Sequence, residues 1–297
     1  MIGELAALGA AVSWAVAPIL YRKALSKTTP ISANIVRCVS NAAVLALILV
    51  VIGGAGPLMQ LPLEVLVIVA VSGVVGLGVG DTLYMYGLKS VGVSRAVPLA
   101  ATYPLFSLLW ALLLGESVVL PALVGALVIL LGIWLLSKEK WDVNGANGKG
   151  SRWGLAASLA TAVVWSVSVS LMGVAVTLAG TSSLDANFAM LAVRLAPLSV
   201  FLLAFSPLLD RERGFLKMNR STLLLLLIGG LVANGVGWLL MNISFLNTVA
   251  TQAIPISSTT PLFSALAGFA LFHEKATAEN VLGAVAVVAG VSLIFII

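Results

Sequence analysis

Residues 96–107 read AVPLAATYPLFS, and residues 253–264 read AIPISSTTPLFS. Seven of the twelve positions are identical at an offset of 157, so the chain contains this stretch twice. Each copy lies inside a long apolar segment and carries two prolines six residues apart. Proline has no N–H to donate to the carbonyl four residues back. Pro98 and Pro104 therefore free the carbonyls of Ser94 and Ala100, and Pro255 and Pro261 free those of Thr251 and Ser257. In a bilayer such carbonyls are tolerated only where protein or a watery cavity satisfies them. Two kinked, hydroxyl-rich helices at matching places in two halves point to the solute site of a repeat-built transporter.

Composition sets the class. Of 297 residues, 61% are hydrophobic and 9% charged, with a mean hydropathy of +1.14. A soluble domain carries roughly 25% charged residues, so these few could not cover one of this size. The chain reads as a polytopic membrane protein. Its net charge of +5 then reports loops at a membrane surface and not nucleic-acid binding. The single cysteine, Cys38, excludes an internal disulfide, and the single histidine, His273, leaves no Cys/His metal cluster. No phosphate-binding glycine loop precedes a lysine, so ATP hydrolysis is not expected, and no cofactor is implied. The opening Met1-Ile-Gly-Glu has no basic run, so the first apolar segment is expected to be a mature helix and not a cleaved signal.

A spanning helix needs about 20 apolar residues. That ruler gives ten segments, near 2–21, 31–52, 64–86, 92–114, 119–137, 153–178, 186–206, 222–246, 249–272 and 278–297. The polar, glycine-rich stretch 138–152 divides them into two sets of five, 1–137 and 153–297. The duplication runs through both sets. Trp14 matches Trp165, Arg37 matches Arg194, and Gly78-Val79-Gly80 matches Gly235-Val236-Gly237. Glu116 matches Glu274, Gly125 matches Gly283, and Gly132 matches Gly290. Because five is odd, the second half enters the membrane from the opposite side. The expected fold is an all-α membrane protein of ten transmembrane helices in two inverted five-helix repeats.

Loop charge orients it. Of sixteen Lys and Arg, Arg37 and Arg194 fall well inside segments, and the other fourteen, counting Arg95 at the very start of the fourth segment, lie on one face. The opposite face, which holds both termini, has none. The positive-inside rule makes the populated face cytoplasmic and puts the termini outside the cell, with the plasma membrane as the expected location.

These landmarks resemble the EamA branch of the drug/metabolite transporter superfamily over the whole chain. The resemblance rests on two five-helix repeats, a Trp midway along the first and sixth segments, and an Arg early in the second and seventh. Gly115-Glu116 and His273-Glu274 close the fourth and ninth segments, and the fifth and tenth are glycine-rich. The resemblance implies a secondary transporter, often an exporter of amino acids or related metabolites. Its cavity would be lined mainly by the first, third, fourth, sixth, eighth and ninth segments. The family habit is cytoplasmic termini, against which the loop charges of this chain stand.

Several residues are candidates for solute binding. Asn234, Trp238 and Asn242 recur every four residues and make a polar stripe on one helical face. The repeat maps them to Leu77, Asp81 and Met85, which brings Asp81, with Tyr84 one turn on, to the same cavity. An intramembrane carboxylate is costly and a functional candidate. Asp81 reads as a proton carrier or a counter-charge for a solute amine, or as a structural partner of Arg37 at similar depth. Thr102 and Tyr103 in one prolyl stretch, and Ser257, Ser258, Thr259 and Thr260 in the other, offer hydrogen-bonding groups, against the alternative of bonding across helices or to their own backbone. Trp14 and Trp165, mid-span, either stack on a solute or pack helices. Arg37 and Arg194 either hold a solute carboxylate through a bidentate fork or, the favoured reading, are structural, snorkelling or donating to carbonyls. Glu116 and Glu274 read as favourable charges at helix starts. Gly76 with Gly80, Gly125 with Gly132, and Gly283 with Gly290 read as close-packing seams.

The reading is a secondary transporter of small organic metabolites working by alternating access, with protons as a candidate coupling ion. The rivals are an intramembrane enzyme acting on lipid, which needs paired acids or a metal cluster, and a non-transporting scaffold.

Overall fold

The computed structural model describes residues 1–51, 55–113, 120–138, 148–180, 183–248, 253, 256–257, 259–264 and 277–294. Ser258, Pro255, Glu116, His273, Glu274, most of the 138–152 linker and most of the ninth expected segment lie outside them. Among the described residues the regular structure is helical throughout, as a chain this apolar requires once water cannot satisfy its backbone.

The helices are α1 (Ile2–Leu25), α2 (Pro30–Val51) and α3 (Leu63–Val91), then α4 (Val93–Ala100), α5 (Tyr103–Leu113) and α6 (Leu120–Lys138). The second part holds α7 (Gly148–Ala179), α8 (Leu184–Ala204), α9 (Arg220–Asn247) and α10 (Ala278–Ile294). Short helical turns cover Ala55–Gln60, Ser206–Leu209 and Gly214–Leu216. Six of these helices, α1, α2, α3, α7, α8 and α9, are long and apolar enough to cross a membrane. The expected fourth segment is two pieces, α4 and α5, and α10 contains a shorter apolar stretch, Val281–Leu293.

Local chemistry sets the ends. Thr29 precedes α2, its hydroxyl oxygen accepting from the Ser32 N–H at 3.2 Å, and Pro30 takes the first position, where no N–H is needed. Ser183 caps α8 and Asn219 caps α9 through bonds from Ala186 N (3.2 Å) and Thr222 N (2.8 Å). Gly92, at φ 84°, turns the chain between α3 and α4 in a conformation that disfavours a side chain. Asp210 ties the loop before α9 to the start of α2, accepting from Ser32 Oγ at 2.7 Å and from Phe215 N at 2.9 Å.

The prolyl stretches break in the same manner. Between α4 and α5, Thr102 N and Oγ1 both donate to Leu99 O, at 3.3 and 2.7 Å, and Leu105 N donates to Thr102 O at 2.9 Å. At the matching positions Thr259 N and Oγ1 donate to Ile256 O, at 3.1 and 2.7 Å, and Leu262 N donates to Thr259 O at 3.0 Å. In each copy the second proline, Pro104 or Pro261, stands two residues beyond the threonine. It therefore sits in the first turn after the break, where the missing donor costs nothing. Pro98, by contrast, lies within α4, which runs through it.

A second doubled irregularity lies in α3 and α9. Gly73–Gly80 and Leu231–Gly237 are wound as π-helix, each leading directly into a functional candidate, Asp81 or Trp238. Such bulges expose carbonyls and often mark functional sites. Here Leu77 and Gly78 present their oxygens to Asn34 Nδ2, at 2.8 and 3.2 Å, and Ala233 accepts from Trp14 Nε1 at 3.2 Å. Away from this centre, α6 and α10 meet along a small-residue seam. A methyl on Gly132 would strike the Gly283 carbonyl, and one on Gly290 would strike that of Gly125.

Candidate solute-binding cavity

The elements converge on one cavity of about 840 Å³, counting the open space at its mouth. Helix α1 contributes Trp14, Pro18 and Tyr21, α3 contributes Gly76, Leu77, Asp81 and Tyr84, and α7 contributes Trp165, Ser168 and Val169. Helix α9 adds Ala233, Asn234 and Trp238, and the prolyl stretches add Val97, Ala101, Tyr103, Ser257 and Thr260. These helices correspond to the segments the family resemblance implied. Two side chains reach in from the others, Arg37 of α2 and Arg194 of α8.

On one side the wall is charged and closed. Arg37 Nη1 pairs with Asp81 Oδ2 at 2.7 Å, and Trp165 Nε1 donates to Asp81 Oδ1 at 2.9 Å. The rest of the Arg37 guanidinium is also engaged: Nε and Nη2 donate to Asn34 Oδ1, at 3.2 and 2.6 Å, and Nη2 reaches Leu77 O at 3.3 Å. A buried ion pair offsets its desolvation only when its remaining donors and acceptors are met this fully. Tyr84 leans on the Trp165 ring with centroids 4.9 Å apart. Gly80 lets that indole approach, since a methyl there would sit 2.7 Å from Trp165 Cδ1.

On the other side the repeat substitutes an aromatic for the acid. Trp238 stands where Asp81 stands in the first half, and Arg194, the counterpart of Arg37, places its Cζ 3.7 Å from the Trp238 ring centroid. Trp14 meets Trp238 edge-on at 5.5 Å and 61°. Gly237 makes the same allowance for Trp14 that Gly80 makes for Trp165, at 2.6 Å from Nε1. Arg194 Nη2 donates to Ser168 Oγ at 3.0 Å, and that hydroxyl is itself fixed by donating to Ser72 O at 2.8 Å.

Of the sequence-derived candidates, Trp14, Asp81, Tyr84, Tyr103, Trp165, Asn234 and Trp238 lie together on this cavity. Thr102 and Thr259 spend their hydroxyls on the helix breaks and do not line it. Asn242 is fully buried about one turn beyond the cavity, away from its wall, and Ser258 is outside the described residues. Asp81 both faces the cavity and partners Arg37. Ser257 and Thr260, offered by the second prolyl stretch, line the cavity as well, whereas sequence reading passes over Ser168 and favours a structural role for Arg194. For Arg194 a signal exists: the mapping that pairs Arg37 with Asp81 leaves Arg194 facing a tryptophan at the acid's position.

The sequence profile of the EamA-like transporter family matches the chain twice, over residues 1–138 and 152–296. A relative from Archaeoglobus fulgidus, named "Uncharacterized transporter", is 26% identical over 301 residues, spanning 100% of this chain and 99% of its own. A solved structure described as "Crystal structure of protein" superposes with a TM-score of 0.63 at 21% identity, covering 98% of this chain and 95% of that one, which shows a shared fold. The chain is a multi-pass membrane protein and belongs to the EamA-like transporter family.

Proposed function

We propose that this protein is a secondary transporter that exports small organic metabolites such as amino acids across the plasma membrane by alternating access. The observation that carries the reading is the cavity itself. It is lined by charged, amide, hydroxyl and indole groups at the meeting point of helices that are twice broken and twice π-wound. A packed scaffold has no use for such a chamber, whereas a solute site does. The chain is read as ten membrane helices in two inverted repeats, 1–137 and 153–297. Support comes from the offset of 157 that relates breaks, π stretches, arginines and glycines. Both termini are placed outside, because the fourteen loop cations favour the cytoplasm.

Asp81 is the proposed proton carrier: its carboxylate faces the cavity while bonded to Arg37 and Trp165, so protonation would loosen both contacts. The test is flux in vesicles reconstituted with the full chain and preloaded with labelled leucine, phenylalanine or tryptophan. Saturable, protein-dependent efflux is expected, accelerated by an opposing proton gradient. Asp81→Asn should abolish accumulation against a gradient and leave solute exchange intact. Efflux equal to that of protein-free vesicles for every amino acid would sink the amino-acid reading. Gradient-driven accumulation unchanged in Asp81→Asn would sink the coupling role.

A further inference from the structure

On the α8–α9 side of the cavity Arg194 has no ion-pair partner among the described residues. Arg194 is 2% exposed and lines the chamber. Trp238 covers its guanidinium from one side, which leaves the edge hydrogens for partners in plane. Ser168 takes one bond, while Nε and Nη1 find no partner among the described residues. Asn234, about one turn before Trp238, also lines the chamber with a buried Nδ2 that has no partner among the described residues. The one carboxylate among the described cavity residues is Asp81, and both its oxygens are taken, Oδ2 by Arg37 and Oδ1 by Trp165. Among the described cavity residues, two arginines and one aspartate leave one positive charge in excess. Leaving a buried cation and three buried donor nitrogens unmet is costly, and ionisable groups at membrane depth mark solute pathways.

We infer that Arg194 and Asn234 hold the carboxylate of the transported solute, whose apolar body lies against Trp14 and the Tyr84–Trp165 pair. The inference rests on the transport reading of this cavity and narrows it to carboxylic acids. It also assigns no partner to a solute amine, since Asp81 is occupied. Removing the amine from an amino acid should therefore leave binding intact, and converting the acid to its amide should not.

The test is thermal unfolding of the detergent-purified full chain at one fixed neutral pH. The probes are isocaproate, hydrocinnamate and indolepropionate, each beside its primary amide and beside the matching amino acid: leucine, phenylalanine or tryptophan. Stabilisation follows RT ln(1 + [L]/Kd). At least one acid should act at concentrations about tenfold or more below its amide, as charge-assisted bonds require. It should act at concentrations no higher than its amino acid. Arg194→Gln should erase the preference for acid over amide, Arg194→Lys should retain part of it, and Trp238→Asp should erase it by supplying the missing carboxylate from within. Equal stabilisation by acid and amide in every pair overturns the inference in the unmodified protein, whether or not the variants fold. So does a preference that survives Arg194→Gln, a response to amino acids but not to their des-amino acids, or sodium chloride matching the acids mole for mole. Flux separates this inference from the transport reading. Acid preference without flux keeps the carboxylate site and removes transport. Saturable flux of an amide that Arg194→Gln leaves untouched keeps transport and removes the carboxylate site.

Discussion

Arg37 with its partner Asp81, and Arg194 with its partner Trp238, are the same structural position twice over: each pair is 44 residues apart in sequence and joins a helix to the residue just after a π-wound stretch. Around Arg37 every guanidinium nitrogen is engaged, by Asp81, Asn34 or the Leu77 carbonyl, and Trp165 shares the acid. Around Arg194 one hydroxyl and one ring answer the charge, and two nitrogens stay unmet among the described residues. A duplicated scaffold fixes where the arginines stand, and an indole in the acid's place makes their surroundings differ. At the first corner the buried charge is met by a carboxylate. At the second it meets a ring and a hydroxyl.

The sharpest way to break that contrast is to truncate the acid. Asp81→Ala strands Arg37 in the interior and should cost about 3–5 kcal/mol, as removing one partner of a buried pair does. Arg194→Gln removes a cation with no ion-pair partner among the described residues and should shift stability by no more than about 1 kcal/mol, the lost ring and hydroxyl contacts being offset by relieved desolvation. Chemical or thermal unfolding of both variants side by side checks this. Equal losses would erase the distinction.

The two indoles offer the next test. Trp165 donates to a carboxylate and Trp14 to a carbonyl. Replacing each by Phe should cost roughly 1.5–3 kcal/mol for Trp165 but about 1 kcal/mol for Trp14, the usual difference between charged and neutral acceptors. A double-mutant cycle on Arg194 and Trp238 should give a coupling of about 0.5–2 kcal/mol, the span of cation–π pairs, well below that of Arg37 with Asp81. The smallest effect is expected at the helix breaks. Thr102→Val and Thr259→Val should each cost about 1 kcal/mol, by matching amounts, with ligand affinity unchanged, because both hydroxyls serve the backbone. A binding defect in one alone would show that the copies are used differently.

Much of the chamber is legible in the sequence, and the pattern of misses is physical. The polar stripe on α9 places Asn234 and Trp238 on the cavity, yet the stripe ends there and Asn242 is packed away. Helical periodicity gives a face, but not how far along that face the opening runs, and the π stretch at Leu231–Gly237 alters the periodicity itself. The threonines look like solute ligands because the prolines free carbonyls beside them. Locally, a hydroxyl bonded to the carbonyl three residues back closes the turn at little entropic cost. The arginines look structural because they start outer helices, a rule that holds for Arg37 through Asp81. For Arg194, the repeat has replaced the partner.

Sequence alone is enough for the membrane setting, the helical class, the family resemblance and the doubling of the two prolyl stretches. These come from apolar run length, missing proline donors and a fixed offset, all properties of neighbours along the chain. Tertiary structure decided which polar groups satisfy one another. That Asp81 is occupied by Arg37 and Trp165, and that Arg194 meets a ring and a single hydroxyl, depends on angstrom-scale distances between helices far apart in sequence. In a low-dielectric interior those distances determine which charge is already neutralised and which still requires a partner.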